Sequence, residues 1–322
     1  MDDQELNERQ WCVMKPEIDR RTFIKRVGQA GGLVVAGGTL ESILAACGGN
    51  VGSGATTPTP GVTPIGNAGL KTPGFLQWGS DFVDGAPYVF KDPKNPANLV
   101  GFEVDIMHAV ANMMNITQRQ IETCYGQLDQ ALAANNFDFV FNGWEITDER
   151  KKTQLFSDPY YRYGQQIVVR SDDPRFTQYN ATSDLSLSVL YGKTVGTGDC
   201  YRAATIIQGF PQITTKLYTG NLPLDDLKQK KLDAVFFDFP IVAYNVLGAG
   251  PGGVADPSLK PIGKTLYPDV YIAGFNKSNP NAPTVLNELN QALARLKKDG
   301  TLKKIYITWK MWNDQQAEIG IT

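Results

Sequence analysis

The chain has 322 residues, 42% hydrophobic and 20% charged, enough for two domains with substantial cores. Its 31 Lys+Arg stand against 33 Asp+Glu, a near-neutral balance that argues against nucleic-acid binding through a broad basic face. One histidine and four cysteines leave little material for a zinc cluster, so no metal and no other cofactor is expected.

At the N-terminus, Asp19-Arg20-Arg21-Thr22-Phe23-Ile24-Lys25 resembles the twin-arginine export signal. Val27 to Leu40 follows without a charge and rich in Gly, Ala and Val; fourteen such residues are too few to span a bilayer of about 30 Å. They suit the apolar region of a removable signal. Leu44-Ala45-Ala46-Cys47 then resembles the bacterial lipobox, whose cysteine is lipidated and becomes the first mature residue. The expected division is a signal peptide over 1–46, then Cys47 and a flexible linker over 47–70. From Gly48 to Gly69 only Val51, Val62 and Ile65 are not Gly, Pro, Ser, Thr, Asn or Ala, and none is charged. Such a stretch cannot bury enough apolar surface to order itself, and as a coil it reaches about 25 Å. A lipid and a tether would hold a globular body on the outer face of the cytoplasmic membrane. Beyond position 46 the balance is 25 Lys+Arg to 26 Asp+Glu, so the argument against nucleic acid stands.

From Phe75 onward short apolar runs alternate with helix-like segments, an α/β pattern. Ile106, Val110 and Met114 give a helix face within Val104–Met114. Phe137 to Phe141 reads as a buried strand, and Gln166–Val169, Thr194–Gly196 and Leu232–Phe237 are further strand candidates. Leu286, Leu289, Leu293 and Leu296 mark a helix that Asp299-Gly300 ends, and Leu302 to Trp309 starts another.

In this order the segments resemble the amino-acid type of bacterial extracellular solute-binding proteins, the receptors of ABC importers. The resemblance rests on Gly101-Phe102-Glu103-Val104-Asp105, on Phe137-Asp138-Phe139-Val140-Phe141-Asn142-Gly143-Trp144-Glu145-Ile146-Thr147-Asp148-Glu149-Arg150, and on Phe156-Ser157-Asp158-Pro159-Tyr160-Tyr161. Gly192-Lys193-Thr194-Val195-Gly196, Leu232 to Asp238 and Leu296 to Tyr306 extend it over essentially the whole globular part. It implies a two-lobed, type II periplasmic-binding-protein-like α/β fold with two crossover strands and the ligand in the interlobe cleft. Lobe 1 would be 71–168 plus 273–322, and lobe 2 would be 169–272. It implies capture of an amino acid by hinge closure and delivery to an ABC transporter permease, by a monomer.

A buried amino-acid zwitterion needs a partner for each charge. The resemblance places Arg150 on the ligand carboxylate, where a guanidinium can donate two parallel bonds. It places Asp238, at a strand end, on the ammonium, although a strand-end Asp is also a ready helix cap. Tyr125 would cover the ligand side chain, and Asn142 and Gly143 would contact its backbone. Gly198, Tyr201 and Arg202 would help hold the carboxylate, in a loop that departs from the family's pattern. Glu145 stands where the family has Ser or Thr. Three readings are open: it joins in binding the ammonium, it selects a cationic side chain, or it faces outward. Asp81, after the first strand, could add negative charge for a basic ligand.

With Cys12 in the signal and Cys47 lipidated, Cys124 and Cys200 are expected as two free thiols, since a bond between them would pin the cleft. Two other functions compete. An enzyme of dehydratase type could use Glu145 as general acid, but no Ser/His/Asp set exists, and His108 lies in the first helix pattern. A ligand sensor would need a separate membrane receptor.

Overall fold

A computed structural model describes residues 66–83, 85–219 and 222–322, all within one compact unit, Gly61–Thr322. The expected export signal, the Cys47 lipidation site and the linker up to residue 65 lie outside the described residues. The strands are β1 (Phe75–Ser80), β2 (Phe90–Asp92), β3 (Asn95–Val100), β4 (Thr117–Glu122), β5 (Phe139–Val140), β6 (Gln154–Phe156), β7 (Tyr161–Arg170), β8 (Thr194–Gly198), β9 (Thr214–Tyr218), β10 (Ala234–Asp238), β11 (Leu259–Tyr271) and β12 (Gly274–Asn276). The α-helices are α1 (Phe102–Met114), α2 (Leu128–Ala133), α3 (Asp148–Thr153), α4 (Arg202–Gln208), α5 (Leu224–Lys228), α6 (Phe239–Asn245), α7 (Ala282–Lys298) and α8 (Thr301–Thr308).

Two five-stranded sheets result, ordered β4-β1-β5-β12-β6 and β11-β7-β10-β8-β9, with β2-β3 as a separate hairpin. The chain passes from the first sheet to the second between β6 and β7 and returns between β11 and β12. β7 and β11 run antiparallel from Arg170 beside Leu259 to Tyr161 beside Tyr271, with irregularities between Ile262 and Asp269. The ends of these two strands at Tyr161 and Tyr271 therefore sit where the lobes meet.

Local chemistry sets the helix ends. α1 carries Glu103 and Asp105 in its first turn, where the helix dipole favours acids, and stops at Asn115, whose left-handed backbone (φ 53°) its residue type tolerates. α7 buries Val285, Leu289, Ala292, Leu293 and Leu296 on one face against α1 and α8. It stops at Asp299, and Gly300 (φ 80°) turns the chain into α8. The strand expected over 137–141 is shorter, Phe139–Val140, and the Asp138 carboxylate accepts the N–H groups of Lys71 and Gln77 beside it. The folded body also starts before residue 71. Leu70 is buried in the core, and Ala68 N–H donates to Glu288 on α7.

Candidate functional site

β5 leads into a loop whose end is fixed by Thr147, the N-cap of α3, with Oγ1 accepting the Arg150 N–H. That cap orients Arg150. Its guanidinium lies 3.2 Å from the centroid of the buried Trp144 ring, and its Nη1 donates to the Glu145 carbonyl at 3.0 Å. Its Nε bonds Asp129 on α2 at 3.4 Å. The Glu145 carboxylate lies 3.7 Å from Nη1, a loose ion pair for a buried acid. Glu145 also accepts the Tyr163 O–H at 2.9 Å and the Tyr125 O–H at 3.5 Å.

Asp238 comes from the other sheet. It occupies the N-cap position of α6, yet its side chain caps nothing there. It turns instead toward the hinge strands. Gln165 Nε2 donates to Oδ1 at 2.7 Å, and Tyr271 O–H donates to Oδ2 at 2.5 Å. With its proton committed to Asp238, Tyr271 accepts from Tyr88, 2.7 Å away. Burial, then the Asp238 charge, pushes Glu145 up to about 8, with Tyr163 and Arg150 pulling the other way. Burial pushes Asp238 up to about 6, against the pull of Tyr271 and Gln165. Two acids from different sheets thus share one desolvated neighbourhood, and Asp269 adds to the repulsion at both.

Aromatic rings close the space around them. Tyr125 meets Trp144 edge-on at 5.6 Å and Tyr201 at 5.9 Å, and Tyr201 meets Phe237 at 6.3 Å. Gly198 makes room for this, since a Cβ there would run into the Tyr201 ring. Gly143 (φ 56°) is needed twice over, for its left-handed backbone and because Tyr88 packs against the place of a Cβ.

The structure therefore brings together Arg150, Glu145, Asp238, Tyr125 and Tyr201, gives the other expected site residues partners within the protein, and corrects the expectation for the cysteines. The Asp81 carboxylate accepts the N–H groups of Val83 and Tyr125, both at 2.9 Å. Asn142 Oδ1 accepts the Asp81 N–H, and Gly143 N–H goes to the buried Glu103, so these polar atoms build the loop. Arg202 pairs with Asp269 at 3.6 Å. Cys200 is a free, exposed thiol, but Cys124 is disulfide-bonded, contrary to the expected pair of free thiols. Tyr163, Gln165, Tyr271 and Glu103 were missed. The alternation Tyr161, Tyr163, Gln165 was the available signal, one polar-tipped face of a strand.

The family model of bacterial extracellular solute-binding proteins, family 3, matches residues 82–311. "ABC transporter arginine-binding protein 1" of Escherichia coli K12 is 29% identical over 214 residues, covering 66% of this chain and 82% of that protein. An ancestral arginine-binding protein solved with arginine superposes with a TM-score of 0.60 at 29% identity, over 73% of this chain and 98% of that one. The ancestral amino acid-binding protein AncCDT-1, described as a precursor of cyclohexadienyl dehydratase, gives 0.60 at 26% identity, over 73% and 95%. The two sheets and two crossings, with these likenesses, are those of the two-lobed type II periplasmic-binding fold. The chain belongs to the bacterial extracellular solute-binding proteins, family 3, among relatives named as amino-acid-binding proteins of ABC transporters.

Proposed function

We propose that the protein is a receptor that captures a cationic amino acid between its lobes and delivers it to an ABC transporter permease. The observation that carries this reading is the pair of buried acids, Glu145 and Asp238, contributed by separate sheets and facing a single arginine, Arg150. Arg150 Nη2 makes no hydrogen bond among the described residues, so the guanidinium has a donor left for a ligand carboxylate. Asp238 would hold the α-ammonium and Glu145 the charge of the side chain. Both acids lose hydration on closure, and only a ligand bearing positive charge offsets that cost. Relatives named for arginine support the same class.

The lobes would divide at the two crossings, β1 to β6 with β12 to α8 in one and β7 to β11 in the other, rather than at 168/169, since Gln165 to Val168 pair with β10; closure about β7 and β11 would bring Asp238 onto a ligand already held by Arg150. The sequence pattern from Arg20 to Cys47 supports export and a lipid anchor on the outer face of the cytoplasmic membrane. Binding without turnover is the expected activity. Calorimetry against the twenty amino acids tests this. Micromolar or tighter binding of arginine or lysine, with the ligand recovered unchanged, is the expected result. Preference for a neutral or acidic amino acid, or consumption of the ligand, would overturn it.

A further inference from the structure

Tyr163 and Tyr271 stand on the two paired crossover strands with their rings stacked, centroids 4.0 Å apart and planes 18° from parallel. Each phenol donates to a different acid: Tyr163 to Glu145 on the first lobe's loop, Tyr271 to Asp238 at the end of β10. Beside them Gln165, fully buried on β7, gives its amide N–H to Asp238, while its Oε1 is buried with no donor among the described residues. An orphaned buried acceptor on the side chain that holds Asp238 is open to an N–H donor from a ligand.

We propose that the Tyr163–Tyr271 pair is a positioning device for specificity, holding one acid from each lobe so that the two cationic groups of the ligand complete them, Asp238 taking the α-ammonium and Glu145 the side-chain charge, with Gln165 Oε1 as a third acceptor beside Asp238. Binding then displaces the proton that burial leaves on the empty Glu145 carboxyl. The inference rests on the cationic-ligand reading above. The charged and titratable groups that face the pair are Arg150 from α3, Tyr125 from the turn before α2, Tyr88 from the loop before β2, and Asp269 from β11. Asp129 on α2 bonds Arg150, and Arg202 on α4 pairs with Asp269, so neither cation is left wholly to the acids. The balance is simple. A carboxyl O–H gives its proton to the buffer, and the carboxylate accepts the ligand's N–H in its place. Because phenol O–H donors favour the charged carboxylate, they set the pH at which the exchange happens.

The test is calorimetry of the full chain with L-arginine from pH 5.5 to 9, repeated at pH 7 in two buffers of different ionisation enthalpy. The wild type should release close to one proton per arginine at pH 7, and its affinity should weaken by up to about tenfold per pH unit below that. Tyr163→Phe keeps the stacked ring and removes only the donor. It should move the affinity profile to higher pH, weakening binding about tenfold at pH 7 but less than about threefold at pH 9. Glu145→Gln should abolish the proton release and flatten the profile above pH 6.5. Arginine binding without proton release, or a Tyr163→Phe loss that is the same at every pH, would overturn the positioning device alone. Binding of a neutral amino acid without proton exchange, and none of arginine at any pH, would overturn it together with the cationic-ligand reading.

Discussion

Two clusters of arginine and acid in this protein use the same residue types to opposite ends. At the far end of β7, Arg170 pairs with Asp173 at 2.8 Å and donates to the carbonyls of Leu227 and Leu232. Arg175 pairs with Asp173 and Asp233, each at 2.7 Å. Hydrogen bonds from Arg175 hold Asp173 down at about 2, so its charge is fully satisfied by the protein itself. At the cleft end of the same strand, the one arginine sits 3.7 Å from Glu145, shares its donors with Asp129 and a carbonyl, and both buried acids are pushed up. In the first cluster each buried acid meets an arginine of the protein at hydrogen-bond distance, which is architecture. The second network is short of positive charge, and in the proposed reading a cation completes it.

The largest expected difference between the two is in what an alanine does. Arg170→Ala leaves two carbonyls without their donor and Asp173 with Arg175 alone, and should cost about 2–4 kcal/mol, lowering Tm by roughly 10 °C in thermal unfolding. Affinity of the folded fraction should stay within about threefold, since nothing near the acid pair changes. Arg150→Ala should do the reverse. Loss of the carboxylate's charged partner should weaken amino-acid binding by about 3 kcal/mol, over a hundredfold, with the ligand-free Tm moved by less than about 2 °C. If Arg150→Ala lowered Tm as Arg170→Ala does and spared affinity, the guanidinium over Trp144 would belong with the architecture.

The pH dependence should separate them next. Glu145 and Asp238 have folded-state values above the usual carboxyl range. Their contribution to stability is complete below about pH 4 and is lost as pH rises through 6 to 8. Asp173 has a lowered value, so its contribution is present above about pH 4 and is lost as pH falls toward 2. The ligand-free Tm should therefore decline on the alkaline side because of the cleft, and on the acid side because of the Arg170 network. Arginine at a hundred times its Kd should add about 2.7 kcal/mol at pH 8.5. The same concentration should add clearly less at pH 5.5, where the acids hold their protons. A ligand-induced Tm gain that is larger at pH 5.5 would contradict a cation bound by Glu145 and Asp238.

What the sequence made legible follows the same division. The motif from Phe137 to Arg150 placed Arg150 and Glu145 because both sit within a few residues of one strand and one helix cap. Asp238 was reachable because it ends a buried apolar run, β10. The partners of these residues were not legible. Tyr163 and Tyr271 meet through the register of β7 and β11, strands far apart in the chain whose pairing is irregular near Leu266. β11 itself escaped notice because Pro261, Gly263 and Pro268 interrupt it, as breakers do in most strands. The buried Glu103 was read only as part of a motif. Burial pushes it up to about 7, and it receives the N–H of Gly143 and the O–H of Tyr160, contacts fixed by tertiary packing alone.

Asp81 gives the smallest effect and the sharpest check on the line between site and scaffold. On sequence grounds it could have added a negative charge for a basic ligand. In the structure both of its oxygens are taken by backbone N–H groups, those of Val83 and Tyr125, and burial rather than a nearby cation dominates its shift. Asp81→Asn keeps one acceptor and sets an amide N–H₂ against the other backbone donor. The expected cost is about 1–2 kcal/mol of stability from that one mismatched contact, read as a lowered denaturant midpoint. Because Tyr125 keeps its ring against Trp144 and Tyr201, affinity for arginine should change by less than about threefold. A charge facing the ligand would behave differently, since its removal costs a cation about 2–5 kcal/mol of binding. A loss of that size, with stability unchanged, would move Asp81 from the scaffold into the site and leave the cleft with three acids to its one arginine.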